Sequence, residues 1–249
     1  MMANHVIINR FPKLSYSANE AMNTLATNLS YCGDDIHVIQ FTSRSGHEGK
    51  SFVTMNLLRT VAGLQKKVVL LDADLRRSHL VHSYGMAFGT ETVNGLAQYL
   101  AGMCRREDIL YETDIPGAWF IPIGRQVEGS LQLLSKPGFG ELVAYLKGCF
   151  DLVLIDTPPA GTLIDAIEIA KYCDGAVIVV GSGMGNKNEI TDVADAITRT
   201  GCPVLGMVMN RVDMKNFTNK KYYYSRKYYG YYGAKKPYTA TPGPSAPAK

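Results

Sequence analysis

The sequence predicts an α/β fold of the doubly wound type, in which helices cover both faces of a mainly parallel sheet. Two observations favour this class. Apolar runs that are continuous rather than alternating recur along the chain, which is typical of strands buried on both faces. Segments with helical spacing of apolar residues separate these runs, as in right-handed parallel crossovers. The 249 residues, 46% of them hydrophobic, suffice for one globular domain with extensions.

The elements are expected in the following order. A helix from Ser17 to Ser30, capped by Ser17, lies within an N-terminal helical extension at 1–35. The main domain covers 36–213, and a basic, tyrosine-rich tail covers 214–249. Strands are predicted at 36–42, 68–72, 118–123, 151–155, 175–180 and 203–209. Helices are predicted at 51–64, 91–101, 139–148, 162–172 and 188–199.

Composition narrows the class of protein. No apolar run reaches the roughly 18 to 20 residues of a membrane helix, and the first residues do not resemble a signal peptide, so we expect a cytoplasmic protein. The five cysteines lack CxxC spacing, which argues against a zinc site or a disulfide framework. From Met214 onward there are eight Lys or Arg and no Asp or Glu, so the rest of the chain is acidic.

A strand-to-helix loop, TSRSGHEGKS at 42–51, has the composition of a phosphate-binding loop. Backbone N–H groups attract an anion there, Lys50 adds a charge near the β- and γ-phosphates, and Ser51 can ligate Mg²⁺. The usual pattern has glycine where this chain has Arg44, which leaves an ordinary turn as the alternative. The residues expected to bind a nucleotide here are Ser45, Gly46, His47, Glu48, Gly49, Lys50, Ser51 and Phe52.

Two strand ends carry carboxylates. VVLLDADLRR places Asp72 and Asp74 after one apolar run, and LVLIDTPPA places Asp156 after another. Such residues are often turn formers, but beside a phosphate loop they indicate a nucleoside triphosphate site that holds Mg²⁺ and orients an attacking oxygen. Asp156 is the expected metal residue, with Ser51 and Asp72. Either Asp72 or Asp74 would face the nucleophile, and Lys50, Asp72, Asp74 and Asp156 form the catalytic set.

The last predicted strand ends in Asn210 and Arg211. An amide at this position can recognise adenine, so both residues are assigned to the nucleotide site. A simple turn is the alternative for Asn210.

Together, these motifs and the terminal tyrosines resemble the bacterial tyrosine kinases of capsule and exopolysaccharide synthesis, over residues 14–233. The Walker A, A′ and B motifs of that family correspond to 43–51, 69–76 and 153–159, and LLSKP at 133–137 matches its LLxxP stretch. The resemblance implies a P-loop NTPase fold related to the partition ATPases.

The resemblance also implies ATP and Mg²⁺ as cofactors and transfer of the γ-phosphate to tail tyrosines of a neighbouring subunit. It implies self-association, a transmembrane chain-length regulator that recruits the kinase to the inner face of the membrane, and a cognate phosphotyrosine phosphatase, with no nucleic acid. The expected phosphoacceptors are Tyr222, Tyr223, Tyr224, Tyr228, Tyr229, Tyr231 and Tyr232.

The chain departs from this pattern at two places. Gly46 and His47 stand where relatives have Pro-Gly, and Asn23 and Ala26 replace two arginines that help relatives to form a ring. A ring is therefore an open question.

Other functions fit parts of the sequence. Interleaved basic and aromatic residues in the tail can bind an anionic membrane or single-stranded nucleic acid. A partition-type ATPase would carry a signature lysine at the position of Ser45. An ATP-responsive scaffold for a membrane regulator would bind nucleotide without transferring phosphate.

Overall fold

The computed structural model describes residues 4–90, 92–125 and 129–212. Over these residues the strands are β1 (Asn4–Ile8), β2 (Val38–Ser43), β3 (Val68–Asp72), β4 (Met86–Phe88), β5 (Tyr111–Thr113), β6 (Ala118–Ile121), β7 (Leu152–Asp156), β8 (Gly175–Gly181) and β9 (Val204–Asn210). The α-helices are α1 (Tyr16–Ser30), α2 (Lys50–Gly63), α3 (Leu80–Ser83), α4 (Leu96–Leu100), α5 (Ser130–Leu134), α6 (Pro137–Cys149), α7 (Asp165–Ala170) and α8 (Lys187–Thr198). Among these helices, none is long and apolar enough to cross a membrane.

The described strands form one sheet in the order β4-β1-β5-β6-β3-β7-β2-β8-β9. The pairs β1–β4 and β5–β6 are antiparallel, and the other neighbouring pairs are parallel. Strands β2 and β3 are buried along their whole length. Strand β3 is accordingly apolar up to Asp72, whereas β2 also buries the polar side chains of Gln40, Thr42 and Ser43. The mainly parallel sheet of the prediction is confirmed.

Hydrophobic side chains pack on both faces of the sheet. On one face, Met22 and Leu29 of α1 and Leu57 and Val61 of α2 belong to a core that includes Phe41 of β2. On the other face, side chains of α4, α6 and α7 pack with β3, β6 and β7. Helix α8 covers β8 through Val193 and Ile197, among others. This layering confirms the doubly wound class.

All six predicted strands are present, whereas β1, β4 and β5 were not predicted. Strand β1 alternates between exposed and buried residues, and β4 and β5 have three residues each, so none produces a long apolar run. The segment 1–35, predicted as a helical extension, therefore also contributes a strand to the sheet. The compact unit of the chain runs to Arg211.

The N-terminal cap of α1 is Ser15, and the prediction of Ser17 was wrong. Ser15 has an extended backbone, and its Oγ accepts a hydrogen bond of 3.2 Å from the N–H of Ala18. Ser17 lies inside the first turn, with its Oγ 3.1 Å from that of Ser15.

The helix predicted at 91–101 is shorter than expected and begins at Leu96. Gly95 is extended and packs so closely on the 122–124 backbone that a Cβ would lie 2.1 Å from the nitrogen of Gly124. The N–H of Leu96 donates to the carbonyl of Pro122 at 2.8 Å. The close approach of Gly95 to this backbone is possible only for a residue without a side chain, and it fixes the start of α4.

Candidate functional site

The carboxyl ends of β2, β3 and β7 meet at one edge of the sheet. In the parallel register, Phe41 of β2 lies beside Asp156 of β7, and Asp156 lies beside Asp72 of β3. The end of β9 reaches the same place, because the Nδ2 of Asn210 donates to the carbonyl of Glu48 at 3.0 Å. The loops after β2, β3, β7 and β9 therefore gather into one site, as parallel strand topology requires.

The loop between β2 and α2 is shaped by a close backbone approach at Gly49. This residue has a left-handed φ of 91°, and a Cβ there would lie 2.0 Å from the Nδ2 of Asn210. Helix α2 begins at the next residue, so the N–H groups of its first turn are directed at the loop. Glycine and Asn210 together position an anion-binding helix end.

The side chain of Glu48 closes the loop from within. Its Oε2 accepts hydrogen bonds from the N–H groups of Arg44 at 3.0 Å and Ser45 at 3.3 Å, and the residue is fully buried. The Nε of Arg44 lies 3.8 Å from the other carboxylate oxygen, and Nη1 lies 3.5 Å from Glu189 on α8. Arg44 and Glu48 thus brace a loop that lacks its usual first glycine.

Lys50, Ser51 and Asp156 form the centre of the site. The Oγ of Ser51 donates to Oδ2 of Asp156 at 2.5 Å. Burial raises the pKa of Asp156 to about 7, against the lowering effects of the Ser51 hydrogen bond and the Lys50 charge. Its Oδ1 is buried without a hydrogen-bond partner among the described residues. An orphaned carboxylate oxygen beside a serine hydroxyl is suited to a hydrated cation.

Asp72 and Asp74 lie beside this centre. Asp72 is fully buried and accepts hydrogen bonds from the Oγ of Ser78 and from the N–H of Asp74 at 3.3 Å. Burial, followed by the charge of Asp156, raises the pKa of Asp72 well above its usual range. Asp74 is half-buried, and its Oδ1 accepts from the N–H of Arg77 at 3.0 Å.

The remaining predicted residues lie in the loop or near it in the chain fold. Gly46 and His47 are exposed, and His47 has a left-handed φ of 63°. Phe52 is half-buried and packs against the core, while Arg211 is exposed just after β9. Nucleotide contacts by these four residues, and recognition of adenine by Asn210, stay predictions.

Several supporting residues were not predicted. Ser78 binds Asp72, and buried Asp165 accepts hydrogen bonds from the Nε of Arg76 at 3.1 Å and from the Oγ of Ser130 at 2.7 Å. Asp165 begins α7, 91 residues beyond Asp74, so no local sequence pattern links it to the loop after β3. Arg76 and Ser78, in the segment that follows the two aspartates, were near enough in sequence to be noticed.

The donor set suits Mg²⁺ bound together with phosphate. In the described part of the chain, no group of three or more His, Cys, Asp or Glu side chains could hold a metal. Mg²⁺ typically retains waters and takes one or two carboxylates plus substrate phosphates. Ser51 and Asp156 are the residues that would provide that partial coordination.

The predicted phosphoacceptor tyrosines, from Tyr222 to Tyr232, lie outside the described residues.

Comparison with known proteins agrees with this geometry. Residues 39–232 match the family model "CobQ/CobB/MinD/ParA nucleotide binding domain". A tyrosine-protein kinase CpsD of Streptococcus agalactiae is 32% identical over 194 residues, which cover 78% of this chain and 83% of the relative.

Solved structures give the same result. The VpsO kinase domain superposes with a TM-score of 0.68 at 27% identity, covering 80% of this chain and all of that one. The septum site-determining protein MinD from Pyrococcus horikoshii, in complex with Mg-ADP, has a TM-score of 0.62 at 26% identity, with coverages of 72% and 71%.

Proposed function

The chain belongs to the bacterial tyrosine kinases within the CobQ/CobB/MinD/ParA nucleotide-binding family and is a protein-tyrosine kinase, and we propose that it uses ATP and Mg²⁺ to phosphorylate its own C-terminal tyrosines. The acceptors would be Tyr222 to Tyr232 of a neighbouring copy. This self-phosphorylation would regulate polysaccharide synthesis and export.

One observation carries the proposal: Lys50, Ser51, Asp72 and Asp156 meet at the ends of adjacent strands. Ser51 is bonded to Asp156, and Asp156 lies opposite Asp72 in the strand register. A cation, a hydroxyl and two carboxylates are the groups that position a triphosphate and an attacking oxygen.

The side chains divide this work according to charge and burial. The Lys50 ammonium and the N–H groups at the start of α2 would hold the β- and γ-phosphates. Ser51 and Asp156 would hold Mg²⁺, which neutralises phosphate charge when bound. Because the pKa of Asp72 is raised by burial and by Asp156, its carboxylate is a stronger proton acceptor than an exposed one. Half-buried Asp74 would align the incoming hydroxyl.

The transfer step balances with these groups. The phenol oxygen of tyrosine bonds to the γ-phosphorus, the bond from that phosphorus to the bridging oxygen breaks, and ADP leaves. The phenol proton passes to Asp72. Phosphotyrosines in the basic tail would then repel the acidic body of a neighbouring copy, which supplies a reversible switch.

The remaining parts of the proposal concern location and partners. A transmembrane chain-length regulator would hold the cytoplasmic kinase at the inner face of the membrane, and a phosphotyrosine phosphatase would reverse the modification. The family resemblance supports both.

The structural similarity to MinD keeps a positioning ATPase as the second candidate. Against it, Ser45 stands where that class has its signature lysine. A MinD-like enzyme would release free phosphate without labelling protein.

Intact-mass analysis tests the proposal directly. The full chain is incubated with ATP and Mg²⁺, with and without the cytoplasmic peptide of a candidate activator. We expect successive additions of one phosphate, which are absent in Lys50→Met and in a variant whose eight tyrosines from Tyr222 onward are alanine. Free phosphate with an unmodified mass would favour the MinD-like candidate. Nucleotide binding without either product would favour a scaffold.

A further inference from the structure

A cavity of about 510 Å³ adjoins the catalytic centre, and nucleotide binding does not account for it. Part of its wall is formed by residues 122–124, which follow β6, and by Ser78, whose Oγ donates to Asp72. Arg10 also belongs to this wall, and it borders a neighbouring cavity that reaches Ser51. The cavity therefore lies next to the residues that would accept the proton and hold Mg²⁺.

Most of the wall is apolar and includes an aromatic ring. Its apolar side chains are those of Val81, Met86, Phe88, Val93, Pro122 and Ile123. The Phe88 ring is fixed in place, because it packs edge-on against Tyr111 with ring centroids 4.8 Å apart. Tyr111 is itself buried, and its hydroxyl donates a hydrogen bond of 3.2 Å to the carbonyl of Asn94. A fixed ring among apolar side chains favours an aromatic occupant.

The polar part of the wall favours an anion. Its polar side chains are Arg10, Ser78 and His82, and none of the described residues that line the cavity is acidic. The stem of Arg10 packs on Gly85, where a Cβ would lie 3.1 Å from the Cγ of the arginine. The backbone N–H of Arg10 also donates to the carbonyl of Tyr84 at 2.9 Å. The arginine is thus anchored, and a guanidinium is well suited to bind phosphate.

An aromatic ring that carries a phosphate satisfies both parts of the wall. Phosphotyrosine is such a group, with a charge of about −2, and it is the product of a tyrosine kinase. The tail tyrosines from Tyr222 to Tyr232 are at most four residues from their nearest neighbours in sequence. Four residues span at most about 14 Å. A phosphotyrosine held in this cavity would therefore keep the next tyrosine of the same tail near Asp72.

We infer that this cavity is a docking site for phosphotyrosine, supplied by the already phosphorylated tail of a second copy of the chain. The inference rests on the proposed function and adds to it a site that retains the product. Arg10 binds the phosphate, and Phe88 and Val93 contact the ring. Retention raises the local concentration of the tyrosines that are still unmodified, so several of them are phosphorylated during one encounter.

Calorimetry measures the binding without any catalysis. The protein is the full chain with Lys50→Met and with its eight tail tyrosines changed to alanine, so it neither transfers phosphate nor supplies phosphotyrosine. The probe is a synthetic peptide of residues 219–233 that carries phosphate on Tyr228. Two comparison peptides are the unmodified one and one with phosphoserine at position 228. We expect the phosphotyrosine peptide to bind at least about 10-fold more tightly than either of them.

Two substitutions in the protein test the wall. Arg10→Gln removes the cation, and His82→Trp fills the cavity from an exposed position. Each should weaken binding of the phosphotyrosine peptide by about 10-fold. The matched controls are Arg77→Gln and Ala87→Trp, because both residues are exposed and neither lines this cavity. Equal affinity for the phosphoserine peptide, or an affinity that neither Arg10→Gln nor His82→Trp changes, would overturn the inference.

The order of phosphate additions gives a second readout. The enzyme is the full chain with Lys50 intact and alanine at the eight tail tyrosines, and the acceptor is an excess of the full chain carrying Lys50→Met. By intact mass, we expect acceptors with several phosphates while most of the acceptor is still unmodified. Arg10→Gln and His82→Trp in the enzyme should instead produce singly phosphorylated acceptor first.

Single additions by the parent enzyme would contradict retention of the product. If the parent transfers no phosphate at all, the proposed function fails, whereas the peptide titration still decides whether the cavity binds phosphotyrosine.

Discussion

Asp72 and Asp156 lie directly opposite each other at the ends of the parallel strands β3 and β7, and both are buried. Burial is the main cause of the raised pKa of each carboxyl, and the charge of Asp156 further raises that of Asp72. Like charges so placed are costly unless a cation joins them. The ligand-free fold is therefore destabilised at this site, which a metal ion and a phosphate can complete.

This arrangement predicts that the ligand-free protein loses stability as the pH rises. A carboxyl whose pKa is raised on folding favours the folded state most when protonated, so its contribution is full below about pH 4 and is lost as the pH rises through about 7. Asp156→Asn removes the ionisation and should raise the free energy of unfolding at pH 8 by as much as about 4 kcal/mol. At pH 5 the gain should be smaller, about 1.5 kcal/mol, because most of the difference develops between pH 5 and pH 7.

Chemical denaturation at several pH values in the absence of Mg²⁺ measures this effect. Asp192→Asn, an exposed change on α8, is the control and should show no such pH-dependent gain. A gain for Asp156→Asn that is equal at pH 5 and pH 8 would contradict the prediction.

The phosphate loop predicts a severe defect for Gly49→Ala. The new Cβ would meet the Nδ2 of Asn210 at 2.0 Å, and the left-handed φ of 91° strains any residue with a side chain. We expect nucleotide affinity to fall by about 100-fold or more, measured by calorimetry, because the start of α2 must shift. Gly63→Ala, which meets nothing within 4 Å, should bind nucleotide normally.

The double variant Gly49→Ala, Asn210→Gly separates the two causes. Removing the amide relieves the steric overlap but leaves the strained φ, so only part of the lost affinity should return when the double variant is compared with Asn210→Gly alone. Full recovery would show that the backbone conformation contributes nothing.

Much of this site could be predicted from sequence because its residues follow apolar runs. Asp72 and Asp156 each end a strand, and Lys50 begins the helix after the loop that follows β2. Parallel topology brings such strand ends and loops to one edge. The brace by Asp165 could not be predicted, because its contact with Arg76 depends on how α7 packs. Likewise, β1 pairs with β4 and β5, strands too short to leave a pattern.

The buried carboxylate of Glu48 predicts that its charge orders the loop. Glu48→Gln keeps an oxygen that can accept from the N–H groups of Arg44 and Ser45 but removes the ionic contact with Arg44. We expect nucleotide affinity to fall by about 5- to 10-fold, which corresponds to one charge-assisted hydrogen bond. Exposed Glu141 offers the control Glu141→Gln, which should bind as the parent does. Unchanged affinity in Glu48→Gln would mean that the backbone alone holds the loop.

The pair formed by Arg76 and Asp165 predicts that the position of the loop after β3 depends on α7, which is distant in sequence. The Asp165 carboxylate is 1% exposed and accepts hydrogen bonds from the side chains of Arg76 and Ser130. Arg76→Ala removes the first of these and keeps the second. The free energy of unfolding should fall by about 2 to 3 kcal/mol, which is less than for a fully buried pair because the Arg76 side chain is 42% exposed. Since Arg76 lies two residues after Asp74, phosphate transfer should also slow.

A double-mutant cycle tests whether this loss comes from the pair. Asp165→Asn removes the buried charge, so Arg76→Ala should cost less in that background, with a coupling energy of about 1 to 2 kcal/mol. Arg77→Ala changes the exposed neighbour and should leave stability nearly unchanged. Asp165 belongs to α7, and Arg76 belongs to the loop after β3. Additive losses in the double variant would show that these two elements are positioned independently. A coupled loss would show that this contact positions them.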